Sequence, residues 1–572
     1  MVGIVVGILA VALGATLVMR PFASLGVLVL LIVAALVLLG VGELAGESRP
    51  WRRSTLLTAG AWWAAALAIL AWPDMSVRAV AIIVGATLVV EGVTTLVAGI
   101  RGVVDGRAAA IMRGASAILL GVLALSWPDV TVVVVAIVFG LRVVWFGVTL
   151  AWDAIFVSRR APTTVEEGGG SRGWLRRSAA LVASGVGLLV ALALLGVSAT
   201  LSAAAPTPDA FYEAPAEAPS EAGRLLRAEP FERTMPERAR AWRTLYTTTR
   251  DEGRAAVASA LVVVPETTPD APLPVIAWAH GTTGAAEGCA PTIVGSGLES
   301  GAFFALDRVL ANGWALVATD YVGLGTEGPH PYLIGEPEGR SVLDAVRAAR
   351  ELDGVDLSTD QTVVWGHSQG GHAALWTGIL APEYAPDASV IGVAAAAPAS
   401  NLTGLVGNLE EIPGGALFAS YVVEGYTETY DDVDAADYVR PSARIPVEEL
   451  AARCLEEPGT MISVVESLLF DRSVFDRPLT EGPFGERLDE NIARGPIEVP
   501  LLVAQGEDDQ LVLPTAQAEY VEERCADGGQ VEYRTYPGKD HVPLVEADSP
   551  YIDDLVAWTQ DRLDGKPARS TC

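Results

Sequence analysis

Ser368 lies in the segment VVWGHSQGGHAAL (363–375), where Gly366, Ser368 and Gly370 make the pattern G-x-S-x-G. A serine between glycines, after an apolar strand-like run and before a helix-compatible stretch, marks a sharp turn that presents the hydroxyl. The glycines are needed because such a turn brings backbone too close for side chains. The chemistry this permits is nucleophilic attack through a covalent acyl intermediate. The pattern by itself is weak, and the chain supplies a control. Gly169-Gly170-Ser171-Arg172-Gly173 matches it too, without a preceding strand. Context assigns the nucleophile to Ser368 and leaves Ser171 as a connecting residue.

A serine hydroxyl needs a base, and the base needs an acid to orient it. The apolar run PLLVAQG (500–506) leads into Glu507-Asp508-Asp509. The spacing G-x-x-D from Gly506 selects Asp509 as the acid, with Asp508 the runner-up. After QVEYRTY (530–536) comes Pro537-Gly538-Lys539-Asp540-His541, which puts His541 in a loop behind the last strand-like run. The other four histidines, His280, His330, His367 and His372, occupy no such position. The order Ser, Asp, His, each after a strand, is that of α/β-hydrolases. Backbone N–H groups that hold the oxyanion are expected at Gln369, after the nucleophile, and at Thr282, in the His-Gly turn behind VIAWAHG (275–281). No His/Cys cluster has metal-ligand spacing, so neither a metal nor another cofactor is expected.

The elements that must position these residues are short apolar runs at 261–265, 275–281, 314–320, 363–368, 390–397, 500–506 and 530–536, with helix-like stretches between most of them. That alternation predicts a mostly parallel sheet covered on both faces.

The rest of the chain differs sharply. Of 39 Lys+Arg and 69 Asp+Glu in 572 residues, 14 and 9 lie in 1–201, a net of +5; the remaining 25 and 60 give 202–572 a net of −35. The second part has no basic patch suited to nucleic acid. The first is apolar, with runs at 2–19, 23–42, 54–72, 77–100, 111–127, 130–156 and 178–201, most of them near the ~20 residues that span a bilayer. Six of these form three pairs in one register. Pro21, Pro73 and Pro128 separate the members, and Gly40, Gly92 and Gly147 each follow their proline by nineteen residues. An internal repeat of helical hairpins explains that spacing. Arginines gather between spans two and three, four and five, and six and seven, which makes those loops cytoplasmic and sends everything after 201 outside. All four cysteines, Cys289, Cys454, Cys525 and Cys572, lie in the acidic part, as an oxidising compartment would favour, with three pairings open; scattered buried thiols are the plainer alternative. Two charges fall within spans, Glu91 and Arg142. A repeat offset of 55 residues sets Arg142 one helical turn from the Glu91 level, so an intramembrane ion pair is expected.

The segments AHGTTGAAEGCAP, TDYVGLGTEGPHPYLIG, GRSVLDAVRAAR, GHSQGGHAAL, QGEDDQLV and YPGKDH, in this order, resemble the secretory lipase family, relatives of the fungal lipase A type, from about residue 211 onward. The resemblance implies a serine esterase or lipase, a helical cap at roughly 399–495, and a disulfide between Cys289 and Cys454; Cys525 and Cys572 have no clear counterpart. Such lipases usually follow a cleavable signal peptide, whereas seven apparent spans precede this domain. Residues 1–157 resemble the HdeD-like family of small bacterial membrane proteins, which implies little chemistry.

The expected architecture is therefore an α-helical transmembrane bundle of about seven spans followed by an α/β-hydrolase domain with a helical cap. Its parts are a six-span region (1–157), a cytoplasmic loop (158–177), a seventh span (178–201), a linker (202–223) rich in Pro, Ala and Glu, and the hydrolase domain (224–572). The expected function is hydrolysis of carboxylic, lipid-type esters outside a bacterial cell membrane, with a bilayer as partner and no nucleic acid. The rivals are acyl transfer to an acceptor other than water, and a non-catalytic binding domain on a membrane protein.

Overall fold

The computed structural model describes residues 53–71, 77–104, 106–127 and 171–572, the last with short omissions (217, 232, 234, 237, 268–270, 295–304, 410, 442, 458 and 470–473), and isolated positions before 53 and between 134 and 148. Two compact units result. One holds Met1–Ala204 with Val439–Glu449 and Val465–Asp476; the other holds Ala205–Tyr438, Leu450–Val464 and Arg477–Cys572.

The first unit contains helices α1 (Arg53–Ala71), α2 (Val77–Ile100), α3 (Arg107–Ser126) and α4 (Ser171–Ala204). Among the described residues, three stretches are long and apolar enough to cross a membrane: Ala81–Ile100, Arg107–Ser126 and Ala180–Leu201. In α1 the apolar stretch is shorter, Thr55–Ala68. The spans expected at 2–19, 23–42 and 130–156 lie outside the described residues, as does Arg142, the expected partner of Glu91. Helices α2 and α3 pack through glycines seven residues apart. A Cβ at Gly92 would stand 2.8 Å from the Gly114 carbonyl oxygen, and one at Gly121 would stand 2.7 Å from that of Gly85. Gly92 is one of the three repeat glycines, and its missing side chain lets backbone meet backbone. Ser171 opens α4.

The second unit is built on a nine-stranded sheet of β1 (Leu225–Pro230), β2 (Ala239–Thr249), β3 (Ala255–Pro265), β4 (Leu273–Ala279), β5 (Ala315–Thr319), β6 (Leu357–His367), β7 (Val390–Ala396), β8 (Leu501–Gly506) and β9 (Val531–Tyr536). The order is β1-β2-β3-β5-β4-β6-β7-β8-β9. Pairs from β1 to β5 through β3 are antiparallel, and all pairs from β5 to β9 are parallel. Strands β1 and β2 were not expected. In β2, ARAWRTLYTTT, three of the buried residues are threonines, so the apolar alternation that marks a strand is masked; Thr244 and Thr248 are satisfied by the Ala260 carbonyl and the Asp344 carboxylate.

Between strands run α5 (Gly335–Ala349), α6 (Gln369–Tyr384) and, behind β7 in the chain, α7 (Leu402–Leu409), α8 (Gly415–Thr429), α9 (Arg444–Ala451), α10 (Thr460–Leu469) and α11 (Gly482–Glu490), of which α9 and α10 are divided between the two units; α12 (Pro514–Ala526) and α13 (Pro550–Leu563) complete the second unit. On one face of the sheet Trp278, Trp314, Trp365 and Leu502 pack with Leu555 and Trp558 of α13. Trp365 Nε1 donates to Thr559 Oγ1 at 3.0 Å, so the large ring is buried without an orphaned donor.

Two further features tie segments to this unit. Phe211 and Tyr212 are buried against Leu245 and Val257, and Tyr212 Oη donates to Thr292 Oγ1 at 2.9 Å. Beside β9, Thr571 N donates to the Val531 carbonyl at 2.8 Å, and a Cys525–Cys572 disulfide joins this segment to α12.

Candidate active site

Ser368 sits between the end of β6 and the start of α6 with φ 60° and ψ −120°, a conformation that costs a non-glycine residue strain. Its neighbours permit the turn by lacking side chains. A Cβ at Gly366 would lie 1.9 Å from the Gly370 carbonyl oxygen, and one at Gly370 would lie 1.9 Å from that of Ala279. Any larger residue at either position forces the nucleophile turn apart.

His541 is in the loop after β9 and Asp509 in the loop after β8. Ser368 Oγ and His541 Nε2 are 2.9 Å apart, and His541 Nδ1 donates to Asp509 Oδ2 at 2.8 Å. This donation leaves Nε2 as the nitrogen that accepts the serine proton. Asp509 is buried and receives three more N–H donors: Leu511 N and Val512 N, each 2.9 Å from Oδ1, and Gln505 Nε2, 3.1 Å from Oδ2. Four donors hold the carboxylate in one orientation and compensate its burial. Asp508, the runner-up, is exposed and turns away from this row; its backbone N–H bonds the Lys539 carbonyl.

The two expected oxyanion residues flank Ser368. Gln369 is the first residue of α6. The loop of Thr282 passes close by, since a Cβ on Gly281 would be 3.8 Å from Ser368 Cβ. Thr282 Oγ1 and Tyr332 Oη share a hydrogen bond of 2.7 Å. Cys289 and Cys454 form a disulfide, and Leu455 N donates to the Thr283 carbonyl at 2.8 Å, so the loop of Thr282 is fastened to the segment between β7 and β8.

Sequence reasoning missed three supporting groups. Asp540 Oδ1 accepts from His541 N at 2.7 Å and from Gln510 N at 3.3 Å, linking the loops of base and acid. His367 Nε2 donates to the His541 carbonyl at 3.1 Å, with the two rings 4.7 Å apart. Glu338 is wholly buried behind Gln369. Only Asp540 and His367 carried a sequence signal, their adjacency to His541 and Ser368.

Burial shapes the pH response. It pushes His280 down to about 4, His330 down to about 3, and His367 well below the ordinary histidine range. It raises Asp320 and Asp344 to about 6. The histidines bind protons more readily in the unfolded chain, so their contribution is present above about pH 6.5 and is lost as pH falls toward 4. The two carboxyls act oppositely, regaining stability as pH falls through 6. Three histidines outweigh two carboxyls, so the balance is a loss of stability between pH 7 and pH 5. A melting temperature measured by circular dichroism at pH 7 and pH 5 is expected to fall accordingly.

A strained serine after a central parallel strand, with His and Asp delivered by the loops of later strands, defines an α/β-hydrolase fold. Residues 302–571 match the family model of secretory lipases, and stretches 5–70, 57–112 and 112–165 match a short repeat of unknown function. Both resemblances read from the sequence motifs are thereby borne out.

A secreted triacylglycerol lipase of Malassezia globosa is 31% identical over 251 residues, 42% of this chain and 54% of that protein. A Mycobacterium tuberculosis protein described as a "Probable inactive lipase" is 27% identical over 389 residues, 63% of this chain and 83% of its own. The chain spans 54–58% of the length of the first curated relatives it matches. Candida antarctica lipase A, solved in its closed state, shares the fold with a TM-score of 0.53 at 20% identity, over 64% of this chain and 87% of that one.

Proposed function

We propose that this chain is a membrane-anchored serine carboxylic-ester hydrolase acting on lipid-type esters outside the cytoplasm. The observation that carries the reading is the unbroken hydrogen-bonded row from Asp509 through His541 to Ser368. Ser368 Oγ attacks the ester carbonyl carbon while its proton passes to His541 Nε2. Asp509 stabilises the imidazolium that forms. The negative oxygen of the tetrahedral intermediate takes N–H donors from Gln369 and Thr282. Collapse expels the alcohol, which takes the proton from His541 and leaves an acyl-serine. Water then attacks the acyl carbon, giving its proton to His541. A second collapse releases the carboxylic acid and returns that proton to Ser368.

The lipid character of the substrate is supported by the family match and by the activity named for the Malassezia globosa relative. Seven spans, six of them in 1–157 and the last at 178–201, with an inside N-terminus, deliver 202–572 to the outer side. The two disulfides fit that compartment.

The relative described as inactive makes a direct test of the serine necessary. Purified full-length protein is incubated with a fluorophosphonate probe and then with esters of increasing acyl length, with and without added alcohol. The reading expects labelling and release of free carboxylic acid. Folded protein that neither labels nor turns over any ester overturns it, and product dominated by the transferred ester replaces hydrolysis by acyl transfer.

A further inference from the structure

Behind the nucleophile lies a polar cluster that the proposed catalytic steps do not use. Glu338 of α5 is 0% exposed, a costly place for a carboxyl group unless its partners are well arranged. Its Oε1 accepts from Gln369 Nε2 at 2.8 Å and from Leu333 N at 3.0 Å, and its Oε2 accepts from His372 Nδ1 at 2.9 Å. His372 Nε2 in turn lies 2.8 Å from the Asn491 carbonyl oxygen. The second hydrogen of the Gln369 amide points to His330 Nε2 at 3.0 Å, while His330 Nδ1 donates to the Val322 carbonyl at 3.1 Å. Both amide hydrogens of Gln369 are therefore committed, one to a carboxylate and one to a ring nitrogen.

This fixation falls on a particular residue. Gln369 follows a strained serine and begins α6, so its peptide plane has no preceding helical turn to hold it. In the mechanism above, its N–H must point at the oxyanion, and misdirected donors forfeit most of their catalytic value. A side chain anchored at its far end restricts the backbone at its near end.

We infer that Glu338 is a positioning residue, acting through the Gln369 side chain to aim the Gln369 N–H at the oxyanion, with His372 completing the support. Asn491, which follows α11, ties the same support to the segment between β7 and β8: its Oδ1 accepts from Gly335 N at 2.9 Å and its Nδ2 donates to Tyr430 Oη at 2.7 Å. The inference rests on the hydrolase reading and assigns the Gln369 side chain a role that a plain backbone donor would not need.

The test compares wild type, Glu338→Met and Gln369→Met in the full-length protein, with active sites counted by fluorophosphonate titration; methionine at 338 removes the acceptor that holds the Gln369 amide. Each is assayed on an ester and on the matching thionoester, whose sulfur is a poorer acceptor for oxyanion donors. Aimed donors make wild type favour the ester. The variants are expected to lose about 10-fold or more in kcat on the ester, with KM nearly unchanged and the ester-to-thionoester ratio contracted toward one. A merely structural role lowers both substrates together, so a wild-type ratio in the variants overturns the inference. If Glu338→Met does not fold, Gln369→Met, which keeps side-chain length, decides. Wild type inactive on the ester sinks the hydrolase reading itself, whereas active wild type with unchanged variant ratios sinks the positioning role and leaves that reading standing.

Discussion

Replacing Ser368 by alanine is expected to abolish fluorophosphonate labelling and to lower ester turnover by about 10⁶-fold in kcat. The size of the effect follows from the role, because without the hydroxyl no acyl-serine forms and His541 has no proton to move. What survives is the faster-than-water reaction that oriented binding and oxyanion donors still support. The substitution removes one atom from a half-buried position, so the fold and its melting temperature should hold. Ser171 is the built-in comparison. It shares the G-x-S-x-G pattern but is the first residue of a helix, and Ser171→Ala should leave labelling unchanged. Labelling that persists in Ser368→Ala would assign the reactive group elsewhere.

Asp509→Asn is expected to cost about 10⁴-fold in kcat, while Asp508→Asn changes it by less than about twofold. An asparagine at 509 keeps the Oδ1 acceptor for Leu511 and Val512, so the loop stays folded. Its amide nitrogen, however, faces His541 Nδ1 and donates to it. The imidazole is then driven to the tautomer with hydrogen on Nε2, which cannot accept the serine proton. Asp508 lies outside this relay, exposed one residue away. Stopped-assay kcat values for the two variants, with active sites titrated, separate the roles; equal losses would mean that the acid has been misassigned.

How far the sequence could be read depended on whether the information was local. Ser368, Asp509 and His541 stand directly behind apolar strands, so strand-and-turn context locates each one without knowledge of the others. The glycine register of the repeats was equally visible. Which faces those glycines serve was not, because α2 and α3 come from different repeats and a hairpin pattern does not say which neighbour packs across the boundary. Glu338 was beyond reach for the same reason: it sits 31 residues from Gln369 in the chain and within hydrogen-bond distance of it in space. Strand β2 escaped because its burial is met by threonine hydroxyls and their acceptors. A reading tuned to apolar alternation passes over a strand whose inward residues are polar but satisfied.

The segment at 570–572 bears on how such a sheet is kept from pairing with other chains. β9 is a terminal strand, and a bare strand edge offers its carbonyls and N–H groups to any other chain with a free edge. Here Thr571 N occupies the outward carbonyl of Val531 and Thr571 Oγ1 accepts from Tyr533 N, and the Cys525–Cys572 bond keeps them there. Protection against strand-to-strand aggregation is thereby made conditional on redox state. A copy stalled where thiols stay reduced holds its edge cover by a few hydrogen bonds, and a copy that meets an oxidant has it locked. The bond that joins Cys572 to α12 thus also secures the open edge of the sheet.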